Sequence, residues 1–404
     1  MRPIQPLTVL KYRVRLLLTW FRDSLVLRTL PARPSERNIL VLRLDHIGDF
    51  IVWLPSAYAI RQQFPRPDYR IVLLANVQWA PLARQLGVFD AVWSVDRKKL
   101  ARKQAYRIAW LRRLRRSQFG TALNPLYSRE FCLGDLLIKA TAATHSIGLR
   151  AERPAVDGPL LRQGDRWYSR LLDTPSHRIH ESTRNAMFVA FLGAKAQLLH
   201  APWLVAPANE ADLQIPPEPY VIVSPGSNDL RRNWPATRYV EVVRRLRDTF
   251  CISVVVCGGP SEKALGNQFV QEFGDAVINL AGKTSLLQLI ALIRGATLVL
   301  TNDTGPAHLA VALAVPSVAI VGGGHFGRFL PYPEELVGQA QARHASTYMP
   351  CYECRWVCKF EVAQGAPFPC VDHVTVEQVW QKVEALLEET HGIRSIDQMA
   401  KTSA

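Results

Sequence analysis

Near its N-terminus the chain has no run of about 20 nearly uncharged apolar residues, the length a helix needs to cross a bilayer. The most lipophilic early stretch, residues 14–30, is broken by Arg15, Arg22, Asp23 and Arg28. An apolar core followed by a small-residue cleavage site is also missing, so no secretory signal is expected and the cytoplasm is the expected compartment. No short-period repeat or low-complexity tract is present. Acidic residues are scarce on one side only: residues 1–200 hold 14 Asp and Glu against 33 Lys and Arg, a net of +19, while residues 201–404 hold 20 against 16, a net of −4. The first half therefore expects an acidic partner and the second does not. Glycine, finally, is missing where a phosphate cradle would need it. The loop after the apolar run of residues 39–44 is Asp45, His46, Ile47, Gly48 and Asp49, one glycine between two carboxylates. Such a loop suits handling a proton or hydroxyl better than holding an anion.

What is present is enough for two domains: 404 residues, 48% of them hydrophobic, give two substantial cores. Residues 14–30 read as a basic amphipathic helix, lying on an anionic surface or packed on its own domain; both readings stay open. Residues 39–44 read as a buried strand of a parallel sheet, and residues 54–64 as a helix with Pro55 in its first turn. Residues 70–75 and 91–95 read as strands with a helix at 76–86 between them, the alternation of a doubly wound sheet. Residues 97–116 hold ten basic residues and no acid, interleaved with Tyr106, Trp110 and other apolar side chains. That favours an anionic membrane surface or a phosphorylated glycan; nucleic acid ranks below, since no nucleic-acid-binding motif accompanies the charge. Residues 121–124 read as another strand and the region to 200 as mostly helical. Prolines 202, 207, 216, 217 and 219 mark a boundary. The expected division is a basic segment 1–35, a first domain 36–205, a linker 206–219, a second domain 220–375, a helix 376–391 and a tail 392–404.

The second half restarts the pattern. A strand at 220–224 runs into Pro225, Gly226 and Ser227, with Arg231 and Arg232 behind them, and small residues there let backbone approach a ligand whose phosphates the arginines can meet. A strand at 252–257 ends near Glu262, where a ribose hydroxyl could be held. Residues 298–314, LVLTNDTGPAHLAVALA, give a strand to Thr301, a loop of Asn302, Asp303, Thr304, Gly305 and Pro306, and a helix opening near Ala307. Backbone N–H groups and the positive helix end there suit a diphosphate, with His308 in the first turn. A strand at 317–321 leads into Gly322, Gly323 and Gly324, read as another close approach of backbone to ligand.

These segments, in order, carry a resemblance. The strand, IGD loop and proline of residues 39–55, the SPGS and NWP pair of 224–235, the NDTGPAHLA segment of 302–310 and a cysteine-rich stretch after 350 together resemble glycosyltransferase family 9, the heptosyltransferases, from residue 39 to 390. The resemblance implies a GT-B fold of two Rossmann-like doubly wound α/β domains facing across a cleft, and inverting, metal-independent transfer of heptose from ADP-heptose to a lipopolysaccharide-type acceptor at the inner membrane surface. It implies Asp49 as the catalytic base and Gly226, Ser227, Arg232, Glu262, Asp303, Thr304, Gly305 and His308 as the donor site. Arg232 stands where the heptosyltransferase I type has lysine. Asp45 and His46, the acceptor-side candidates, replace a more usual pair of serines. Asp45 competes with Asp49 as base, and either acid could instead cap the following helix. A GT-B nucleotide-sugar epimerase and a nonenzymatic acidic-glycan binding protein remain as alternative functions.

No catalytic cofactor is expected. Cys351, Cys354, Cys358 and Cys370 stand as C-x₂-C-x₃-C-x₁₁-C, and clustered thiols in a reducing compartment more often bind metal than form disulfides. A structural Zn or Fe is the expectation, with His344 or His373 able to replace a thiol and a reduced or disulfide-linked loop as the alternative. The resemblance supports the metal in part, since the family's autotransporter branch has a four-cysteine iron site. Cys132, Cys251 and Cys257 read as core residues.

Overall fold

A computed structural model describes residues 6–31, 33–151, 158–175, 179–195, 203–204, 219–337 and 341–391. The expected linker at 206–219 lies almost wholly outside them. The chain divides into two compact units, residues 2–198 and 199–404.

The first unit is built on β1 (Ser35–Arg43), β2 (Arg70–Asn76), β3 (Ala91–Val95), β4 (Phe119–Asn124), β5 (His145–Leu149) and β6 (Arg170–Leu172), in the order β3-β2-β1-β4-β5-β6. Every pairing is parallel. Ile39, Leu40, Val41 and Leu42 are wholly buried, as expected for a central strand covered on both faces. The second unit repeats the plan with β7 (Tyr220–Ser224), β8 (Ser253–Val256), β9 (Val277–Asn279), β10 (Leu298–Asn302), β11 (Ser317–Ile320) and β12 (Ala342–Ala345), ordered β12-β11-β10-β7-β8-β9 and again all parallel. Each sheet thus reverses direction once, between β1 and β4 and between β7 and β10. Doubly wound sheets bind ligands at the carboxyl ends of the strands flanking such a reversal. The two Rossmann-like α/β units are the GT-B class expected from sequence.

Helix α1 (Pro6–Arg28) packs on the helix Gln104–Arg116 and on residues 131–141. Leu16 and Leu27 are buried, and Trp20 meets Phe131 edge-on at 5.9 Å. Asp23 is buried in an ion pair with Arg107, whose Nε donates to it at 2.8 Å. Two of the segments singled out for their charge are therefore one packed unit.

Several expectations are corrected. Helix α2 (Ile47–Gln63) begins three residues before Phe50, where apolar spacing that suits a helix resumes, and seven before the 54–64 helix, so that Pro55 lies in its interior; its start is set by Asp49, whose Oδ2 accepts the His46 N–H at 3.3 Å. The helix expected at 76–86 shrinks to Ala80–Gln85. The region after Asn124 is helical at residues 131–141, Gly158–Asp165 and Glu181–Phe191, but it also holds β5 and β6, which were not expected; they begin at exposed His145 and Arg170 and are too brief to show alternation. The equally short β9 and β12 had no sequence signal either. Cys251 is exposed, in a left-handed turn (φ 51°) that ends the helix Ala236–Phe250, and Cys132 is half-buried; of the three presumed core cysteines only Cys257 is buried.

Candidate active site

In the first unit the loop after β1 is clamped by main-chain contacts. Asn76, the last residue of β2, donates to the Asp45 carbonyl at 3.0 Å, Trp79 Nε1 donates to the same oxygen at 2.9 Å, and Arg97 Nη1 reaches the Leu44 carbonyl at 2.8 Å. Beneath it lies Arg43, only 2% exposed, its guanidinium 4.9 Å over the Trp53 ring. Arg43 Nη2 donates to the Asp49 carbonyl at 2.9 Å, Nη1 reaches the Pro125 carbonyl after β4 at 3.5 Å, and the guanidinium pairs with the Asp45 carboxylate. One arginine thus ties both acids across the sheet's reversal point.

The two acids are not equivalent. Asp45 Oδ1 and Oδ2 are buried and accept no directed hydrogen bond among the described residues. Burial pushes its carboxyl up to about 7; Arg43 opposes this and the neighbouring charge of Asp49 adds to it. Asp49 is half-buried in the first turn of α2 and takes the capping role described above. His46 is exposed. Sequence reasoning missed Arg43, Asn76, Trp79 and Arg97; the signal for Arg43 was a lone charge closing an otherwise apolar strand, whose burial must be compensated.

In the second unit Asn302, 1% exposed, ties the reversal point together. Its Nδ2 donates to the Pro225 carbonyl at 2.6 Å and its Oδ1 accepts the Trp234 N–H at 3.0 Å, so the SPGS and NWP segments and the loop after β10 are one structure. Arg232 Nη2 donates to the Asp303 carbonyl at 2.8 Å and lies 3.4 Å from its Oδ2. Burial raises the Asp303 carboxyl and Arg232 offsets part of the rise. Thr304 holds the N-cap position of the helix Gly305–Ala312, with Pro306 in its first turn; its side chain does not cap the helix, and its hydroxyl meets that of Thr301 at 3.2 Å. Ser227 Oγ donates to the Asp229 carbonyl at 2.7 Å.

Glu262 sits between two glycine turns. A Cβ on Gly226 would stand 2.3 Å from its carboxyl, and one on Gly258 2.4 Å from its Oε2. The Gly259 N–H donates to that oxygen, and burial raises the carboxyl against this bond. The smallness of Gly226 thus admits Glu262 itself. The same correction applies after β11, where a Cβ on Gly323 would meet Tyr352 and one on Gly324 would meet Trp356, both at 2.2 Å. Those glycines admit aromatic side chains of the cysteine-rich excursion. His308 is 4% exposed, and its Nδ1 shares a 2.9 Å hydrogen bond with the Tyr332 hydroxyl, so it is a buried neighbour of the loop.

The structure lends no support to the four-cysteine metal expectation. Among the described residues no three His, Cys, Asp or Glu side chains gather closely enough to hold an ion. Cys351 and Cys370 are buried, Cys354 and Cys358 half-buried. Burial pushes up the Cys370 thiol, and the nearby thiols of Cys354, Cys351 and Cys358 add to this. The excursion is held in other ways: the Glu353 N–H donates to the Gly323 carbonyl at 2.7 Å, the Arg355 N–H to Gly324 at 2.8 Å, and Trp356 stacks on Phe368 with centroids 5.5 Å apart. Trp356 also lies under the Arg232 guanidinium at 4.4 Å, a contact that sequence gave no means of finding.

Comparison with known proteins shows a family. A model described as glycosyltransferase family 9 (heptosyltransferase) matches residues 135–354, more than half of the chain; Asp45 and Asp49 precede the matched segment. The lipopolysaccharide core heptosyltransferase OpsX of Haemophilus influenzae is 23% identical over 317 residues, 74% of this chain and 82% of the relative. Lipopolysaccharide heptosyltransferase 2 of Escherichia coli K12 is 34% identical over 95 residues, 22% of this chain and 27% of the relative. The solved E. coli ADP-heptose lps heptosyltransferase II superposes with a TM-score of 0.62 at 18% identity, over 87% of this chain and 99% of that one; at that identity the likeness is one of fold.

Proposed function

Because the chain belongs to glycosyltransferase family 9, the heptosyltransferases, we propose that it transfers heptose from ADP-heptose to a lipopolysaccharide-core acceptor, with inversion, at the inner face of the cytoplasmic membrane. The observations that carry this reading are an acid-bearing loop at the reversal point of one sheet and, within the other unit, an Arg232–Asp303 loop and helix start at the reversal point of its sheet. In the proposed step a carboxylate takes the proton of the acceptor hydroxyl as its oxygen forms the bond to the anomeric carbon. The bond from that carbon to the diphosphate oxygen breaks, and the electron pair leaves with the nucleotide diphosphate. Arg232 and the amides opening the helix Gly305–Ala312 meet the charge that develops there, and Glu262 is placed for a ribose hydroxyl. No metal takes part.

Asp49 is assigned the proton. Asn at position 49 keeps a carbonyl oxygen for the His46 N–H, so Asp49→Asn is expected to lower kcat by about 10² to 10⁴ while donor binding, read by calorimetry with ADP, stays within error. Near-normal turnover would remove Asp49 from the role. The second reading is Asp45 as base, favoured by a carboxyl held near neutrality, because a general base works best when its pKa lies near the working pH. The assay measures ADP release from ADP-heptose with and without acceptor; release that needs no acceptor would point to hydrolysis, and conversion of the donor sugar with no net ADP release would point to epimerisation.

A further inference from the structure

Helix α1 is apolar on two sides. One side packs on its own unit through Leu16, Trp20 and Leu27. The other presents Leu10, Val14, Leu17, Leu18, Phe21 and Leu25, all between 45% and 63% exposed. At about 100° per residue these six fall within one arc of about 100°, a continuous stripe of the kind a soluble surface rarely leaves bare. Grooves of about 630 and 600 Å³ flank the helix. The rim is cationic: Lys11, Arg15 and Arg22 follow one edge of the stripe, and Arg102 and Lys103 face them across the larger groove, all five exposed. Arg15 Nη2 donates to the Ala101 carbonyl at 3.0 Å, which fixes the two rims relative to each other. The helix is not long and apolar enough to cross a membrane.

From this stripe and rim we infer that α1 lies in the plane of an anionic phospholipid bilayer, its six apolar side chains entering the acyl boundary and the five cations meeting lipid phosphates. Charge complementarity selects the occupant: a row of cations beside an exposed apolar stripe matches a surface that is anionic outside and apolar beneath. The buried Asp23–Arg107 pair makes the surface rigid, since it locks α1 to the helix Gln104–Arg116 before any lipid is met. The inference rests on the proposed function only for why a membrane is visited; binding itself requires no sugar transfer.

The test is co-sedimentation of the full chain with vesicles of phosphatidylcholine alone and of phosphatidylcholine with phosphatidylglycerol. The wild-type protein is expected to partition onto the anionic vesicles, more weakly as salt is raised but with binding retained through the apolar stripe. The double variant Leu18→Glu/Phe21→Glu is expected to lose at least tenfold in partitioning, and Arg22→Glu/Lys103→Glu to lose binding most at low salt. Both variants are expected to keep wild-type turnover on a water-soluble acceptor, which also shows that they fold. Equal binding to the two vesicle types, or unchanged binding by the Leu18/Phe21 variant, would overturn the inference. So would a stable dimer in analytical ultracentrifugation that Phe21→Glu dissociates, because the stripe would then be an interface between copies.

Discussion

Arg43 shows how one buried charge organises a site. Sealed beneath the loop, it pairs with Asp45, bonds the Asp49 carbonyl and spans to Pro125. Asp45, pushed up to about 7, is expected to appear in the pH dependence of turnover. A base must be ionised to accept a proton, and ionisation of Asp45 adds negative charge beside Asp49, so kcat should rise as pH passes through about 7. In Asp45→Asn that inflection should vanish while activity remains, if Asp49 is the base; loss of activity at every pH would transfer the role to Asp45. In the second unit the corresponding residue is Trp356. Removing the ring beneath Arg232 in Trp356→Ala forfeits a cation–π contact worth about 0.5 to 2 kcal/mol, so the KM for donor should rise about threefold to thirtyfold. A larger effect on kcat than on KM would mean that the ring acts in the transition state instead. Asp45 and Asp49 were legible as a pair in the sequence because two acids in a one-glycine turn are unusual. Trp356 was not, because it stands 124 positions from Arg232 and reaches it only through folding.

Among the elements, the short connections after strands carried more information than the helices did. The loops after β1, β7 and β10 were placed from sequence to within a few residues, since each joins an apolar run to glycine, proline or acid. The start of α2 was misplaced because Pro55 looked like a first-turn proline, whereas the Asp49 cap begins the helix a full two turns earlier. Helix α1 was open between two readings, and the structure shows the packed one on one face while leaving the other face exposed. Its anchor gives a stability prediction. Asp23→Ala leaves Arg107 buried without its carboxylate, at a cost of about 3 to 5 kcal/mol by urea unfolding. Asp23→Leu combined with Arg107→Met, apolar and similar in volume, should recover most of that loss. A double variant no more stable than Asp23→Ala would show that the pair does more than neutralise itself.

For the whole molecule, charge is divided between the units: +19 in residues 1–200 against −4 in the remainder. Burial leaves most of that excess exposed, since Arg43, Arg107, Arg129 and Arg184 are buried together with the acids Asp23, Asp135 and Glu181. Turnover on a vesicle-presented acceptor should therefore fall as salt is raised, whereas turnover on a soluble acceptor should be nearly flat, because screening shortens the reach of exposed charge to about 8 Å at physiological ionic strength. Equal salt dependence for both acceptors would place the effect in the active site. By itself the sequence determined that two doubly wound parallel sheets form, and which loops follow their strands; the strand order of the structure put three of those loops at the reversal points. Apolar periodicity and turn residues are local properties, readable wherever an element is long enough to repeat. Tertiary structure alone decided what those loops hold. Gly226, Gly323 and Gly324 leave room for Glu262, Tyr352 and Trp356; the four cysteines do not converge into a metal site among the described residues; and His308 is turned to Tyr332. Each of these depends on side chains brought together from distant parts of the chain, and neither residue spacing nor composition encodes the distance between them in space.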